Sequence, residues 1–408
     1  MYVQGVIHAM KHKKTPALML KLDISKAFDS VSWEFLLKLL QHRGFGGKWI
    51  SWVVSLLSTS TTKIIVNGEL TEDISHMRGL RQGDPLSPLL FVLVMDCLGR
   101  LLEKAQADQL LPPIGNQILR FRASLYADDV VIFLMPDCQE MQATFSILKL
   151  FGEATGLHTN VSKSSILPIA CGDVNLSFTA LAGCKMEQFP CQYLGLPLSD
   201  RRLKREAFQH LLDKFMKKLS CWKAKWISLA GRLTLVTAVL SALPAYQLMA
   251  IMHPKWLLKE LDKLRRAFLW AASDKVSGGK CLVNWASVCL PKPLGGLGIP
   301  NLQLQSISLR VRWLWQQSTD PSKPWAGLKL PSDPLVLALY RASTIIEIHN
   351  GSSTSFWKSH WLDGQPLSLR FPLLYKHSIN KATSVRDALT DRGWVANIKR
   401  NPSRATLT

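Results

Sequence analysis

Two adjacent acids, Asp128 and Asp129, interrupt the run Leu125-Tyr126-Ala127-Asp128-Asp129-Val130-Val131-Ile132-Phe133, where apolar β-formers flank them on both sides. Two carboxylates at one hairpin tip repel each other and cost free energy to desolvate, and a divalent cation neutralises them best. The alternative is a surface turn, because Asp is a favoured turn residue. A third acid, Asp23, ends another short apolar run, Ala17 to Leu22, 105 residues before Asp128. If neighbouring strands of one sheet end on these acids, three carboxylates arrive at a single point. Such a cluster suits two magnesium ions, hard cations that prefer oxygen ligands. Two metals ~4 Å apart lower the pKa of an attacking hydroxyl and neutralise a leaving oxyanion during in-line phosphoryl transfer.

The elements that must position these acids follow from the hydrophobic pattern. Ala17 to Leu22 is an apolar strand, and a helical pattern follows from the N-cap candidate Ser32, with Glu34 in its first turn, to Gly44. Asn67-Gly68 inside Lys63 to Leu70 marks a tight hairpin. Leu86 to Ala105 is a long apolar helix, Leu125 to Leu134 the Asp-Asp hairpin, and Glu140 to Thr155 an amphipathic helix closed by Gly156. Ser164 to Ile169 and Tyr193 to Leu198 supply further strands. Helices alternating with strands, one pair of them a hairpin, predict an α+β sheet layered by helices. From Arg201 the pattern turns helical, broken near Gly231 and Pro244 and continuing from Pro254 to Ala271; the Pro and Gly residues between Pro291 and Pro300 mark a linker or an edge.

Composition bounds the partners. Lys and Arg number 50 against 29 Asp and Glu, a formal net charge of +21, which points to a polyanion. Arg201 to Trp270 alone holds 15 Lys or Arg against 4 Asp or Glu. A solvated helical surface is the competing account of that density. The eight cysteines are widely spaced, with no C-x-x-C pair and no His at finger spacing, and are expected to be reduced intracellular thiols. The N-terminus is no signal peptide. Leu235 to Met252, interrupted by Thr237, Ser241, Pro244 and Gln247, is expected to be a buried helix and not a membrane span. The expectation is a soluble intracellular protein of the nucleus or cytoplasm.

Five blocks in order resemble the reverse transcriptases of LINE-type, non-LTR retrotransposons, particularly the plant branch. Leu20-Lys21-Leu22-Asp23-Ile24-Ser25-Lys26-Ala27-Phe28-Asp29-Ser30-Val31 is similar to the first catalytic motif of the polymerase palm, and Arg78-Gly79-Leu80-Arg81-Gln82-Gly83-Asp84-Pro85-Leu86-Ser87-Pro88 to the second. Tyr126-Ala127-Asp128-Asp129 looks like the third and Gly156-Leu157-His158-Thr159-Asn160 through Lys163-Ser164 like the fourth. Gln192-Tyr193-Leu194-Gly195-Leu196-Pro197-Leu198 resembles the primer grip. Segments near Trp222-Lys223, Ala230-Gly231-Arg232-Leu233 and Gly295-Gly296-Leu297-Gly298-Ile299 extend the likeness over most of the chain.

The resemblance implies RNA-directed DNA polymerase activity with an RNA template, a DNA primer and deoxynucleoside triphosphates, and no membrane. Asp23 and Asp128 would bind two Mg2+, with Mn2+ as the substitute, the Ile24 carbonyl as a further ligand and Asp129 completing the pocket. Phe28 would lie beneath the deoxyribose and exclude a 2′-hydroxyl; an ordinary core aromatic is the other account. Gln82 and Gly83 would approach nucleotide and template, against a plain loop ahead of a helix. Lys163 would protonate the departing pyrophosphate or offset its charge, against a merely solvated lysine. Tyr193, Leu194 and Gly195 would form the turn holding the primer end, against a core hairpin.

The implied architecture is a palm with residual fingers over 1–199, a basic helical thumb over 200–300, and a C-terminal region over 301–408. That last region resembles the start of a zinc-binding-type domain without its Cys and His ligands. The thumb would grip the RNA–DNA duplex with Trp222, Trp226, Trp256 and Trp270 among Lys214, Lys217, Lys218, Lys223, Lys225, Lys263, Arg265 and Arg266, although helical spacing makes core the default for any one Trp. Only 22 residues precede Asp23, so most of the fingers are expected to be missing and the chain to be truncated at its N-terminus. Weak synthesis or none is then expected of the purified chain, and an inactive fragment binding nucleic acid non-specifically is the alternative.

Overall fold

The computed structural model describes residues 1–115, 121–171, 183–221, 226–273, 281–328 and 333–399. The described residues group into two units: Met1–Gln209 with Ser322–Lys329, and His210–Pro321 with Leu330–Thr408.

The first unit opens with helix α1 (Tyr2–Lys13), which the sequence reading did not anticipate, then strand β1 (Ala17–Leu22) and helices α2 (Ala27–Ser30), α3 (Trp33–His42) and α4 (Gly47–Ser58). Four two-residue strands follow: β2 (Thr61–Thr62), β3 (Ile65–Val66), β4 (Glu69–Leu70) and β5 (Ile74–Ser75). Next come helix α5 (Ser87–Ala107), strands β6 (Ala123–Tyr126) and β7 (Asp129–Leu134), helix α6 (Cys138–Thr155), and strands β8 (Ser165–Ile169), β9 (Lys185–Met186), β10 (Cys191–Tyr193) and β11 (Leu196–Leu198).

Five strands make the main sheet in the order β6-β7-β1-β8-β9, antiparallel except for the β8–β9 pair. β1 is central, as its nearly unbroken burial requires. Because side chains alternate along a strand, the sheet sorts its residues onto two faces. Leu18, Leu20 and Leu22, with Val130, Ile132 and Leu134, pack against α3, α4, α5 and α6. Ala17, Met19, Val131, Phe133, Leu167 and Ile169 pack against α1 and the β10–β11 hairpin. This is the expected α+β layering, with mostly antiparallel strands between packed helices.

Local chemistry sets the ends of the elements. Asn67 and Gly68 both take positive φ and join β3 to β4 in the tight turn that Asn-Gly favours. Ser32 caps α3 by accepting from the Phe35 amide, and Asp137 caps α6 by accepting from Glu140. Glu140 then turns inward to a buried ion pair with Arg122, and its Oε1 also accepts from the Met135 amide at 3.1 Å. Arg122 donates further to the carbonyls of Phe133 and Pro112. The pair therefore fastens the end of β7 to the start of α6, and breaking such a buried pair costs about 3–5 kcal/mol.

The helical pattern breaks near Gly231 as expected, since Ser228 caps a new helix, Leu229–Leu235, that holds Gly231 in its first turn. Two sequence expectations change. Tyr193–Leu198 is not one strand but a hairpin, turning at Leu194 and Gly195 with φ of 50° and 72°. Leu235 to Met252 is not one buried helix: a π-helical turn spans Val236–Leu240, and a separate helix, Ala245–Ala250, follows Pro244. Among the described residues no helix is long and apolar enough to cross a membrane. Among the described residues the second unit is otherwise helical, with Leu302–Thr319 and Lys255–Ala271 its longest helices. It ends in short helices around a small core of Phe356, Trp357, Leu367 and Ala388.

Gly156, at the C-cap of α6, has φ +82°, and a Cβ there would lie 2.2 Å from the Ser30 carbonyl oxygen. The adjoining Ser32 amide donates to Thr155 O at 2.8 Å, so backbone cannot retreat cheaply. Gly156→Ala is expected to destabilise the first unit by more than about 1 kcal/mol, because both the positive φ and the contact oppose a side chain. Urea denaturation followed by circular dichroism checks this, and an unchanged midpoint would show that the junction yields.

Candidate active site

The register of β1 on β7 determines what meets at the sheet end. Leu22 pairs with Val130 and Lys21 with Val131, so the next positions outward are Asp23 on one strand and Asp129 on the other. Opposed residues of an antiparallel pair project to the same face, here the face of Met19, Val131 and Phe133. Tyr126 pairs with Asp129 across the turn of Ala127 and Asp128, and Ala127 opens that turn with φ of 51°. Asp128 is exposed, whereas Asp23 and Asp129 are half-buried.

The acids act on one another. Burial pushes the Asp129 carboxyl above the usual carboxylate range, Asp128 pushes it further, Lys21 opposes the shift and Asp23 adds to it. Like-charge crowding on hard oxygen donors suits a divalent cation, so the donor set fits magnesium chemically. Among the described residues no three His, Cys, Asp or Glu side chains close into a group that could hold one ion. The three acids share one end of the sheet without converging on one point.

Asp23 is fixed through its backbone. Its carbonyl accepts from the Asn160 amide at 2.7 Å, and its amide donates to Ser164 Oγ at 3.2 Å. Ser164 Oγ in turn donates to Asn160 O at 2.7 Å. Ile24 forms an isolated antiparallel bridge with Thr159, whose two bonds are donated by Asn160 N to Asp23 O and by Ser25 N to His158 O, leaving the Ile24 carbonyl outside the pairing. Lys163 sits in the same Asn160–Ser164 turn with an exposed side chain. Within this block Asn160 and Ser164 touch Asp23, which the sequence reading missed; their place beside Lys163 in the quoted block was the only signal.

A second loop is clamped to the segment after Asp23. Gly79 N donates to Val31 O at 2.8 Å, Leu80 N to Phe28 O at 2.6 Å, and Trp33 Nε1 to Gly79 O at 2.6 Å. Gln82 Nε2 donates to Asp29 Oδ1 at 3.2 Å. A Cβ on Gly79 would lie 2.6 Å from the Asp29 carbonyl oxygen, so only glycine fits where this loop meets the segment after Asp23. Gly83 has open space around it, and its φ of +92° favours glycine. The ring of Phe28 is half-buried and stacks on Phe91 of α5, with centroids 4.6 Å apart and planes 13° apart. Tyr193 is buried, and Leu194 and Gly195 form the hairpin turn.

The basic segment divides. Lys214, Lys217 and Lys218 are exposed on the helix whose opposite side buries Leu211, Phe215 and Leu219. Trp226 is 87% exposed, whereas Trp256 and Trp270 are half-buried. Arg265 is no surface cation: it is fully buried and donates to Asp262 at 2.7 Å and to Ser241 Oγ and Pro300 O at 2.8 Å. Arg266 stands beside the Trp285 ring. Trp222, Lys223 and Lys225 lie outside the described residues.

Residues 2–198 match the family described as reverse transcriptase (RNA-dependent DNA polymerase). The chain is similar to an uncharacterized 149 kDa protein of transposon TX1 from Xenopus laevis, 26% identical over 330 residues, covering 80% of this chain and 24% of that protein. A putative ribonuclease H protein of Arabidopsis thaliana is 29% identical over 196 residues, 43% of this chain and 30% of that protein. The retrovirus-related Pol polyprotein of the type-2 retrotransposable element R2DM from Drosophila melanogaster is 36% identical over 126 residues, 31% of this chain and 11% of that protein. The chain therefore spans less than a third of the length of each of these relatives.

The raised Asp129 carboxyl has a stability consequence. The folded chain holds that proton more tightly than the unfolded chain, so the group's contribution to stability falls as pH rises through and above the ordinary carboxylate range. Relative to Asp129→Asn, the wild type is expected to lose melting temperature between acidic and neutral pH, and to recover it when magnesium is added. Thermal denaturation of both chains with and without magnesium measures this. Equal magnesium stabilisation of the two would remove Asp129 from the cation site.

Proposed function

We propose that residues 2–198, which match the reverse transcriptase family, are a reverse transcriptase domain of the non-LTR, LINE- or R2-type kind, and that this chain is an RNA-directed DNA polymerase that extends a DNA primer on an RNA template. The observation that carries the reading is the register that sets Asp23 beside Asp129 at one sheet end, with Asp128 in the adjoining turn. We place the element in the plant branch, which the Arabidopsis relative supports. Residues 1–199 would then be palm and residual fingers, 200–300 the thumb, and 301–408 a further retroelement region.

Asp23 and Asp128 would hold two magnesium ions, with the Ile24 carbonyl and Asp129 beside them. When bound, these ions neutralise charge on the attacking and departing oxygens. The residues of the chain orient what reacts. Phe28, braced by its stack on Phe91, presents a fixed ring to the sugar of the incoming nucleotide and leaves no room for a 2′-hydroxyl. Gln82, held by Asp29, and Gly83 face the nucleotide and template from the clamped loop. Tyr193, Leu194 and Gly195 hold the primer end, and exposed Lys163 offsets the charge of the departing pyrophosphate. Lys214, Lys217 and Lys218 meet duplex phosphates, an interaction that weakens as salt rises.

Non-specific nucleic-acid binding without synthesis is the second reading, and the net charge of +21 supports it, as do acids that do not close on one point. Primer extension on an RNA template separates the two. Asp128→Ala is expected to lower incorporation at least ~100-fold, the scale on which an electrostatic group at a reacting centre acts. Phe28→Val is expected to admit ribonucleotides. Weak wild-type synthesis that depends on Asp128 supports the polymerase; incorporation indifferent to Asp128→Ala, or salt-dependent RNA binding with no incorporation, overturns it.

A further inference from the structure

Lys21 occupies a position where a charge needs a reason. It lies on the central strand between Val131 and Ser165, two residues before Asp23 and on the same face. Ala17 and Met19, earlier on that face, are buried in the core that α1 and the β10–β11 hairpin cover. A lysine at the end of such a row stays only if its stem lies along apolar surface and its ammonium finds a partner. The partner is the Gln192 carbonyl oxygen, 2.9 Å from Lys21 Nζ.

The hairpin explains why that carbonyl is available. With Leu194 and Gly195 as a two-residue turn, Tyr193 and Leu196 form the bonded pair next to it. Gln192 stands opposite Pro197 at the following, non-bonded position, so its carbonyl points out of the hairpin. Lys21 takes it up across 171 positions of sequence. Its charge is also felt on both sides: it draws the Asp129 carboxyl down against burial and Asp128, and acts in the same direction on the Cys191 thiol at the start of the hairpin. The ammonium thus stands between the acids and β10.

We propose that Lys21 is a positioning residue that ties the Cys191–Leu198 hairpin to the strand ending in Asp23, and so sets the distance between the primer-holding turn and the acids. The positioning role rests on the polymerase reading; the tether itself does not. The hairpin keeps other anchors, since Cys191, Tyr193 and Leu198 lie in the core and Ser199 exchanges hydrogen bonds with Gln4. Losing the ammonium therefore loosens the hairpin without unfolding it.

The test uses the full chain with Lys21→Met, which keeps the stem and removes the ammonium, and Lys21→Arg, which keeps a donor and the charge. Hydrogen exchange is expected to speed up about three- to tenfold at the hairpin amides in Lys21→Met, the scale of one partly exposed hydrogen bond to a charged group, while α6 is unchanged. Lys21→Arg should restore most of that protection. In primer extension the KM for primer–template should rise by a similar factor in Lys21→Met, with kcat and the KM for nucleotide changing less. Asp128→Ala is the control: synthesis lost, hairpin exchange unchanged. Wild-type-like exchange in Lys21→Met overturns the tether. A loosened hairpin with an unchanged primer–template KM overturns the positioning role. A wild type that incorporates nothing refutes the polymerase reading and the positioning role with it, while the exchange data still decide the tether.

Discussion

The pairing of Leu22 with Val130 is the constraint on which the rest of this unit depends. Strand side chains alternate with a period of two, so a slip by one residue would send every side chain of β1 to the other face relative to β7. Asp23 and Asp129 would then no longer face the same way. The register is defended from both sides of the sheet. Leu18, Leu20 and Leu22 must meet α3 to α6 with Val130, Ile132 and Leu134, while Met19 must meet α1 with Val131 and Phe133. Fully burying each such side chain is worth about 1.5–3 kcal/mol, so a slipped register exposes several of them at once. The Arg122–Glu140 pair at the far end of β7 adds a polar lock that no shifted arrangement would satisfy.

Around that register the loops are held by backbone, not by their charged side chains. Asn160 and Ser164 grip the main chain of Asp23, and Gly79, Leu80 and Trp33 grip the segment that follows it. Backbone bonds of this kind bring two chains too close for side chains. Gly156 meets the Ser30 carbonyl and Gly79 meets the Asp29 carbonyl, each at a positive φ. The same loops that bind the acid-bearing strand therefore need glycine where they touch it. Their side chains, Lys163 and Gln82 among them, stay at the surface.

Much of this was legible in the residues. A short apolar run broken only by Lys21 announced β1, and Asn-Gly the tight β3–β4 hairpin, because both signals are local. The apolar pattern alone ran Tyr193 to Leu198 together as one strand, because leucine is an unusual residue at positive φ, and the turn at Leu194 and Gly195 was expected only from the resemblance. The apolar stretch from Leu235 concealed a π-helical turn, since buried helix and broken helix share a hydropathy profile. Arg265 was counted as a surface charge because a count of charges is blind to burial. Its Asp262 partner stands three residues away, but Ser241 and Pro300 come from 24 and 35 residues off. Lys21 and Gln192 are further apart still, and no local pattern connects them.

The electrostatics of the first unit and of the chain pull in opposite directions. A net charge of +21 attracts a polyanion from a distance, but at physiological salt that attraction is screened beyond about 8 Å. Within that range, at the sheet end, a polyanion would meet Asp23, Asp128 and Asp129, where burial first, and then Asp128 and Asp23, raise the Asp129 carboxyl. Lys21 offsets part of that shift, yet its ammonium is engaged with Gln192. A phosphate brought to these acids alone would add like charge to like charge. It can settle there only with cations of its own, so a nucleotide bound at this end would carry its divalent ions as a condition of binding and not only of chemistry.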